Sequence, residues 1–493
     1  MVDELNSDQL LLWQKKFEKG GIARMMNQGT FIPYVSLNSV SAWQGTGVAS
    51  FFTGATPAVH GLVSDTWIDR YSQKNFHALY GAYQIDKLDT SLTPNCNTML
   101  ASTLADELLR LYPNTSKVRA IGMSPDISTF ATGHGKDGFY SFDEKTGLVI
   151  NKSMTSLPDW AREFNSKRFG NTYRQREWGP LNNINDYYEA RFYRSTLTQS
   201  FLYKFTTDLD YSRLIYSPYG NVMMRDFAVS MMINEGIGKD EYPDLLTISF
   251  TLKPKVKKNS SLFDAEVEDM ALRLDHEVTG LIRFFEETIG IENVVMVLTS
   301  AHNPGVFPNE YNQVGTPTGT FSGRKAISLL NLYFMAQYGQ GKWVLDYHDG
   351  TFMLNAPLIA EKGMQLDDMR QKTADFLLQM AGVARSYTYQ QLLRGTSTNV
   401  NPDILQSFHP KRSGDVIIEL EPGWAEELDN GDLRVRPLQT RHIPVLFFGG
   451  GIPSQTIRRV CPIVDIAPTI STLFQMSYPN GCEGRPIDEI FKK

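Results

Sequence analysis

A chain of 493 residues with 42% hydrophobic side chains can bury one large core or two ordinary ones, and its composition excludes intrinsic disorder. Its 54 acidic and 48 basic residues are spread along the chain with no long basic block, so a net charge of -6 gives a nucleic-acid role no electrostatic support. No run of about 18 apolar residues and no charged-then-apolar leader occurs, so neither a transmembrane helix nor a signal peptide is expected within these residues.

The opening "MVDELNSDQLLLWQKKF" goes almost at once into helical spacing, with Leu10, Leu11, Trp13 and Phe17 on one side. If Asp3 ends a buried strand, nearly all of that strand lies before Met1. The native gene product is then expected to begin upstream, with several apolar residues and with or without a secretion leader. "SAWQGTGVASFFTGATPAVHGLVSDTWIDR", Ser41 to Arg70, reads like the strand-to-helix turn that presents a nucleophile in a large hydrolase, yet no nucleophile stands where that turn should hold one.

Short apolar runs predict buried strands at "KVRAIGMS" from Lys117, "DLLTISF" from Asp244, "NVVMVLTS" from Asn293 and "IPVLFFGGG" from Ile443. Between the second and third, Val267, Met270, Leu274, Val278, Leu281 and Phe285 recur every three or four residues and predict a helix with one face on a sheet. Strand, helix, strand in this order argues a parallel α/β sheet with function in the loops at the carboxyl ends of its strands. Residues 131–210 and 306–425 interrupt the pattern and read as insertions capping a single unit that spans 1–493. Cys96, Cys461 and Cys482 lack metal or redox spacing; one disulfide at most is possible, Cys461 with Cys482, and three thiols are an equal alternative.

The segments "FFTGATPAVHGLVSDTWIDR", "PDLLTISF", "EVEDMALRLDHEVTGLI", "VVMVLTSAHN", "HIPVLFFGGGI" and "VDIAPTISTLFQMSYPNGCEGRPIDEI" stand in an order and spacing that resemble the alkaline phosphatase superfamily. The resemblance is to phosphate-irrepressible bacterial alkaline phosphatases, relatives of the nucleotide pyrophosphatase/phosphodiesterases, and it extends to "LPDWAREFN", "GVARSYTYQQLLRG" and "HPKRSGDVIIELEPGW". It implies a three-layer α/β/α sandwich with a large mixed, mainly parallel sheet and capping insertions. It also implies two zinc ions held by aspartates and histidines, with a Thr or Ser bound to one metal attacking phosphorus. A cation is needed there because a neutral hydroxyl is a poor nucleophile until its pKa is lowered.

Placed on this sequence, the resemblance puts the first metal aspartate at Asp3 and the nucleophile at Gln44, whose amide cannot accept a phosphoryl group. The phosphate-contacting amide becomes Asp65, and the following basic pair becomes Asp126 and Ser128. An Asp/His pair of metal ligands becomes Pro254 and Lys258, neither of which can bind a metal. The next motif reads "TSAHN", leaving Ala301 and His302, and the last histidine is His442. Three ligand remnants, Asp3, His302 and His442, are split between the two metals, below the three donors zinc usually needs.

These positions imply a catalytically inactive member of the superfamily with a ligand- or partner-binding role and no zinc cofactor. Gln44 is expected to hydrogen-bond Asp3 or His302, and Lys258 or Lys255 to turn inward and offset Asp3, Asp65 or Asp126, because carboxylates left by lost cations must still be balanced. The alternative is a phosphoester or sulfoester hydrolase with a displaced metal set, with Thr46 or Ser50 as the hydroxyls at hand. A third reading is a scaffold in an envelope complex. The partner is then an unknown small ligand, cationic or zwitterionic, or an envelope protein, and the family's setting implies the bacterial periplasm. "HDG" at His348 reads as a turn.

Overall fold

A computed structural model describes residues 1–84, 92–123, 125–135, 138–189, 200–256, 263–302, 308, 315, 317–395, 400–435 and 442–492. All four apolar runs are strands: Val118–Gly122, Leu245–Ile248, Val295–Thr299 and Ile443–Gly449. Leu245–Ile248 runs parallel to Val118–Gly122, which runs parallel to Phe139–Phe142. The two-residue strand Val2–Asp3 pairs in parallel with Phe250–Thr251. Ile443–Gly449 lies antiparallel to both of its neighbours, Val295–Thr299 and Thr30–Ser36, so the sheet is mixed.

Layering follows from the alternation of side chains along these strands. Phe31, Ile121, Leu446 and Phe448 enter a core on one face, while Ile32, Ala120, Val445 and Phe447 enter another on the opposite face. Strands buried on both sides must be apolar almost throughout, which is why they stand out in the sequence. The first core is covered by the Ala265–Thr288 helix, whose Val267, Met270, Leu274, Val278 and Leu281 are buried as its periodicity predicts. The second is covered by the Gln44–Thr53 and Ile466–Leu473 helices. At the amino end, the Ser7–Trp13 helix begins with a reciprocal cap between Asn6 and Gln9 and buries Leu10 and Trp13. No described helix is long and apolar enough to cross a membrane.

Within 306–425 lies an antiparallel sheet in the order Val344–His348, Thr351–Leu354, Val416–Leu420, Val383–Thr388. It packs with the Gly323–Tyr338 and Leu366–Leu377 helices around Phe334, Trp343, Phe352 and Ile418. The segment 131–210 instead adds Phe142, Phe164, Trp178, Tyr187 and Phe205 to the core beneath the long helix. Asp269 of that helix is fully buried and accepts hydrogen bonds from the Trp178 indole (2.7 Å), the Tyr187 hydroxyl (2.6 Å), the Leu181 amide (2.6 Å) and the Arg273 guanidinium (2.7 Å). The three cysteines are free, the second of the two alternatives that their spacing left open.

Because Asp269 satisfies four donors at once, Asp269→Ala is expected to lower unfolding free energy by about 3–5 kcal/mol. Denaturant titration would show this as a shifted midpoint with an unchanged slope; a loss below about 1 kcal/mol would mean that the donors find other partners.

Candidate functional site

The turn at Ser41–Arg70 is built by close packing. Gln44 opens a helix that runs to Thr53, with Trp43 in extended conformation before it. The Trp43 indole folds back over Gly45, where a Cβ would come within 2.1 Å of the ring. Two residues on, a Cβ at Gly47 would stand 1.8 Å from the Ala301 carbonyl oxygen. Glycine at both positions lets the helix start seat itself between its own tryptophan and the "TSAHN" loop. The Ala301 side chain itself is buried in the second core.

Neither nearby hydroxyl is set up for attack. Thr46 is buried and donates to the Trp43 carbonyl at 2.7 Å. Ser50 and His60 are both fully buried and lie 3.1 Å apart (Oγ to Nε2). The His60 Nδ1 accepts the Leu62 amide at 3.1 Å, so the ring proton sits on Nε2 and is donated to Ser50. Burial, together with the Arg412 charge, pushes the imidazole down to about 3, and a ring already protonated on the serine side is no general base for it.

Carboxylates gather at the strand ends. Asp3 closes its short strand, and Glu4 follows in left-handed conformation (φ 63°). Burial, with the neighbouring Glu4 and Asp126 charges, raises the Asp3 carboxyl to about 7. Asp126, in the first turn of the Pro125–Thr132 helix, is buried and accepts the Trp43 indole N–H at 2.8 Å. The compensating cation is Lys253, whose ammonium lies 2.7 Å from Glu4 and whose pKa is raised first by Glu4 and also by Asp3. This corrects the expectation for Lys255, which pairs with Glu144 at 2.8 Å and lies over the Tyr216 ring. Lys258 lies outside the described residues.

His302 is pushed down to about 4 by burial and by Lys253, against the opposing pull of Glu4 and Asp349. The described hydrogen bonds of Asp3 and His302 do not include the Gln44 amide, contrary to expectation; Gln44 is half-buried at the helix start. Pro254 is buried beside Lys253. The His442 ring meets the Tyr34 ring edge to face, 5.6 Å between centroids, its carbonyl accepts the Ser7 amide at 3.1 Å, and the charge acting on it is that of Asp8. Ser128 is fully buried inside its helix, its Oγ 3.5 Å from the Tyr140 carbonyl, and so points into the sheet.

Asp65 has a partner that the sequence concealed. His348, at the end of the Val344–His348 strand, donates from Nε2 to its carboxylate, so "HDG" is more than a turn. The adjoining Asp349, in left-handed conformation (φ 44°), accepts from the Ser41 hydroxyl at 2.7 Å and the Ala42 amide at 3.2 Å. Burial alone would raise the Asp65 carboxyl; the hydrogen bond and charge of His348, with Arg434 and His77 beyond, bring it down to about 2. Burial likewise opposes protonation of His348, and Asp65 outweighs it, so His348 is raised.

The donors present do not fit the pair of zinc ions that the resemblance implies. Among the described residues no three His, Cys, Asp or Glu side chains come together in a metal-holding group. The Asp3 and Glu4 carboxylates face an ammonium, and His442 is directed to a different set of neighbours. What the described residues offer is an acidic patch paired with the Lys253 ammonium, beside the Trp43 indole and the half-buried His302 imidazole.

Comparison with known proteins places this geometry in context. Residues 9–442 match the family described as type I phosphodiesterase / nucleotide pyrophosphatase. The chain is 26% identical to alkaline phosphatase PhoV of Synechococcus elongatus over all of its length and 92% of that protein. It is 25% identical to alkaline phosphatase PafA of Elizabethkingia meningoseptica over 99% of its length and 93% of PafA. A crystal structure of wild-type PafA superposes with a TM-score of 0.88 at 24% identity, covering 100% of this chain and 98% of that one.

The His348–Asp65 pair has a pH signature. Because His348 is raised in the folded state, its stabilisation is complete below the unfolded value of about 6.5 and is lost as pH rises through the folded value. Asp65, lowered to about 2, stabilises above its unfolded value and loses that contribution only as pH falls toward 2. His348→Gln is therefore expected to cost on the order of 1–2 kcal/mol at pH 5.5 and clearly less at pH 8.5. Thermal unfolding at the two pH values tests this; an equal loss at both would remove the charge from the explanation.

Proposed function

Because the chain belongs to the type I phosphodiesterase / nucleotide pyrophosphatase family, within the alkaline phosphatase superfamily, we propose that it is a non-catalytic member whose cleft at the strand ends binds a cationic or zwitterionic small ligand. The observation that carries this reading is Lys253, whose ammonium lies 2.7 Å from Glu4 and whose charge acts on Asp3, the residue that the resemblance makes a metal ligand. Gln44 in the place of the nucleophile, and Asp65 and Asp126 where phosphate would be met, support it further. A phosphate dianion entering there faces carboxylates, whereas a cation is attracted to them. The family resemblance supports a setting in the bacterial periplasm or envelope, and an envelope protein is the other class of partner.

One observation favours a second reading, hydrolysis of phosphoesters or sulfoesters at a non-standard metal site: two of the curated relatives that match over essentially the whole chain, PhoV and PafA, are named alkaline phosphatases. The two readings separate in one experiment. After dialysis of the untagged protein against zinc, elemental analysis is expected to find well under one zinc ion per chain, and aryl phosphate hydrolysis is expected to be no faster with zinc than with chelator. Close to two zinc ions per chain with chelator-sensitive turnover would overturn the non-catalytic reading.

A further inference from the structure

The antiparallel sheet of the 306–425 segment has two unlike faces. Phe352, Leu354, Val416 and Ile418 turn into its own core, with Tyr347 packed against them. Side chains alternate along a strand, so Thr351, Met353 and Ile417 belong to the other face. Val344 is buried in the same core, and a regular strand would send Asp346 there too. A one-residue bulge at Leu345, where Val344 pairs with Leu354 and Asp346 with Met353, breaks the alternation and sets Asp346 beside His348 on the face toward the Ser41–Arg70 turn.

Between that face and the turn lies a cavity of about 50 Å³. Asp346, His348, Thr351, Met353 and Ile417 line it from the sheet, Trp67 from the turn, and Arg412 from the "HPKRSG" loop. At roughly 10–15 Å³ for each water, the space holds about four waters or one solute of four to five heavy atoms.

Two opposite charges line this space without ion pairs among the described residues. Arg412 is half-buried, donates to the Gly61 carbonyl at 2.6 Å and lies 4.8 Å from the centroid of the Trp67 ring. Burial brings its pKa down to about 10, against the pull of Asp69. Arg70 and Arg370, by contrast, share the Asp415 carboxylate. Asp346 is half-buried as well, and burial raises its carboxyl against the pull of His348 and Lys342. A lone anion in the cavity meets Asp346, and a lone cation meets Arg412. A solute carrying both charges compensates both at once.

We propose that this cavity binds a small zwitterion, a free α-amino acid of glycine's size, with its carboxylate on Arg412 and its ammonium on Asp346. The site is separate from the strand-end carboxylates and does not rest on a ligand there. Its size excludes amino acids with long side chains.

The test uses the full chain with labelled methionine and isoleucine methyl groups, titrated near neutral pH and at constant ionic strength with glycine, acetate, methylammonium and leucine. Glycine is expected to shift the Met353 and Ile417 signals saturably, with Kd on the order of millimolar. The other three are expected to bind at least about tenfold more weakly. Asp346→Asn and Arg412→Gln are each expected to weaken glycine about tenfold or more. Asp346 has no ion pair to lose, so Asp346→Asn reads the site even where Arg412→Gln, which gives up the Gly61 bond, unfolds. Absence of a saturable shift at these methyls would overturn the proposal, as would acetate or methylammonium binding as tightly as glycine, or undiminished binding by Asp346→Asn. Shifts confined to the Met1 methyl would place the zwitterion at the strand-end carboxylates and overturn this assignment.

Discussion

Carboxylates at the carboxyl ends of buried strands must be balanced, and that constraint organises this protein's cleft. Asp3 is presented where solvent is largely excluded and where Glu4 and Asp126 add charge of the same sign. A carboxylate in such a place is neutralised by a proton, an ammonium or a metal ion. Here an ammonium from the next loop, Lys253, lies against Glu4, and the Asp3 pKa is raised toward neutrality. Neighbouring features suit this solution: His302 is kept neutral near the same charges, and Trp43 ties Asp126 to the helix start.

Local satisfaction of polar groups governs the turn at Ser41–Arg70 as well. Its shape rests on Gly45 and Gly47, whose missing side chains let Trp43 and the Ala301 carbonyl close in. Polar groups left inside are consumed locally: Thr46 by a backbone carbonyl, Ser50 by a histidine whose tautomer is set by the Leu62 amide. A serine beside a histidine can suggest a dyad in a list of residues. Its burial and proton placement make it a strut between helix and turn.

The second insertion reaches this region through two adjacent side chains. His348 holds Asp65, and Asp349 holds Ser41 and Ala42, so the strand ending at His348 grips both ends of the turn. A further buried carboxylate, Asp415, binds Arg70 at 2.6 Å and Arg370 at 2.6 Å, fastening the same insertion below the turn. The Asp65 carboxylate is thus already engaged by a histidine of the 306–425 segment.

Patterns with a short repeat were legible in the sequence. The four apolar runs had to be strands because both of their faces are buried, and the Ala265–Thr288 helix followed from its spacing. Gln44, Asp65, Asp126, Pro254 and Ala301 could be assigned roles only through the resemblance, by counting from its glycine- and histidine-containing motifs. Glu4, Lys253, Trp43 and His348 could not be. Each acts through a partner distant in the chain, or through a rotamer and a φ value that no local pattern encodes, and Lys253 and Lys255 are indistinguishable until the loop's path sends one to Glu4 and the other to Glu144. Apolar runs and periodicity determined the strands and the long helix, and the resemblance implied the sandwich and Gln44 in the nucleophile's place; only the tertiary structure decided which charges meet, because pairing depends on distances between segments that the order of residues leaves free.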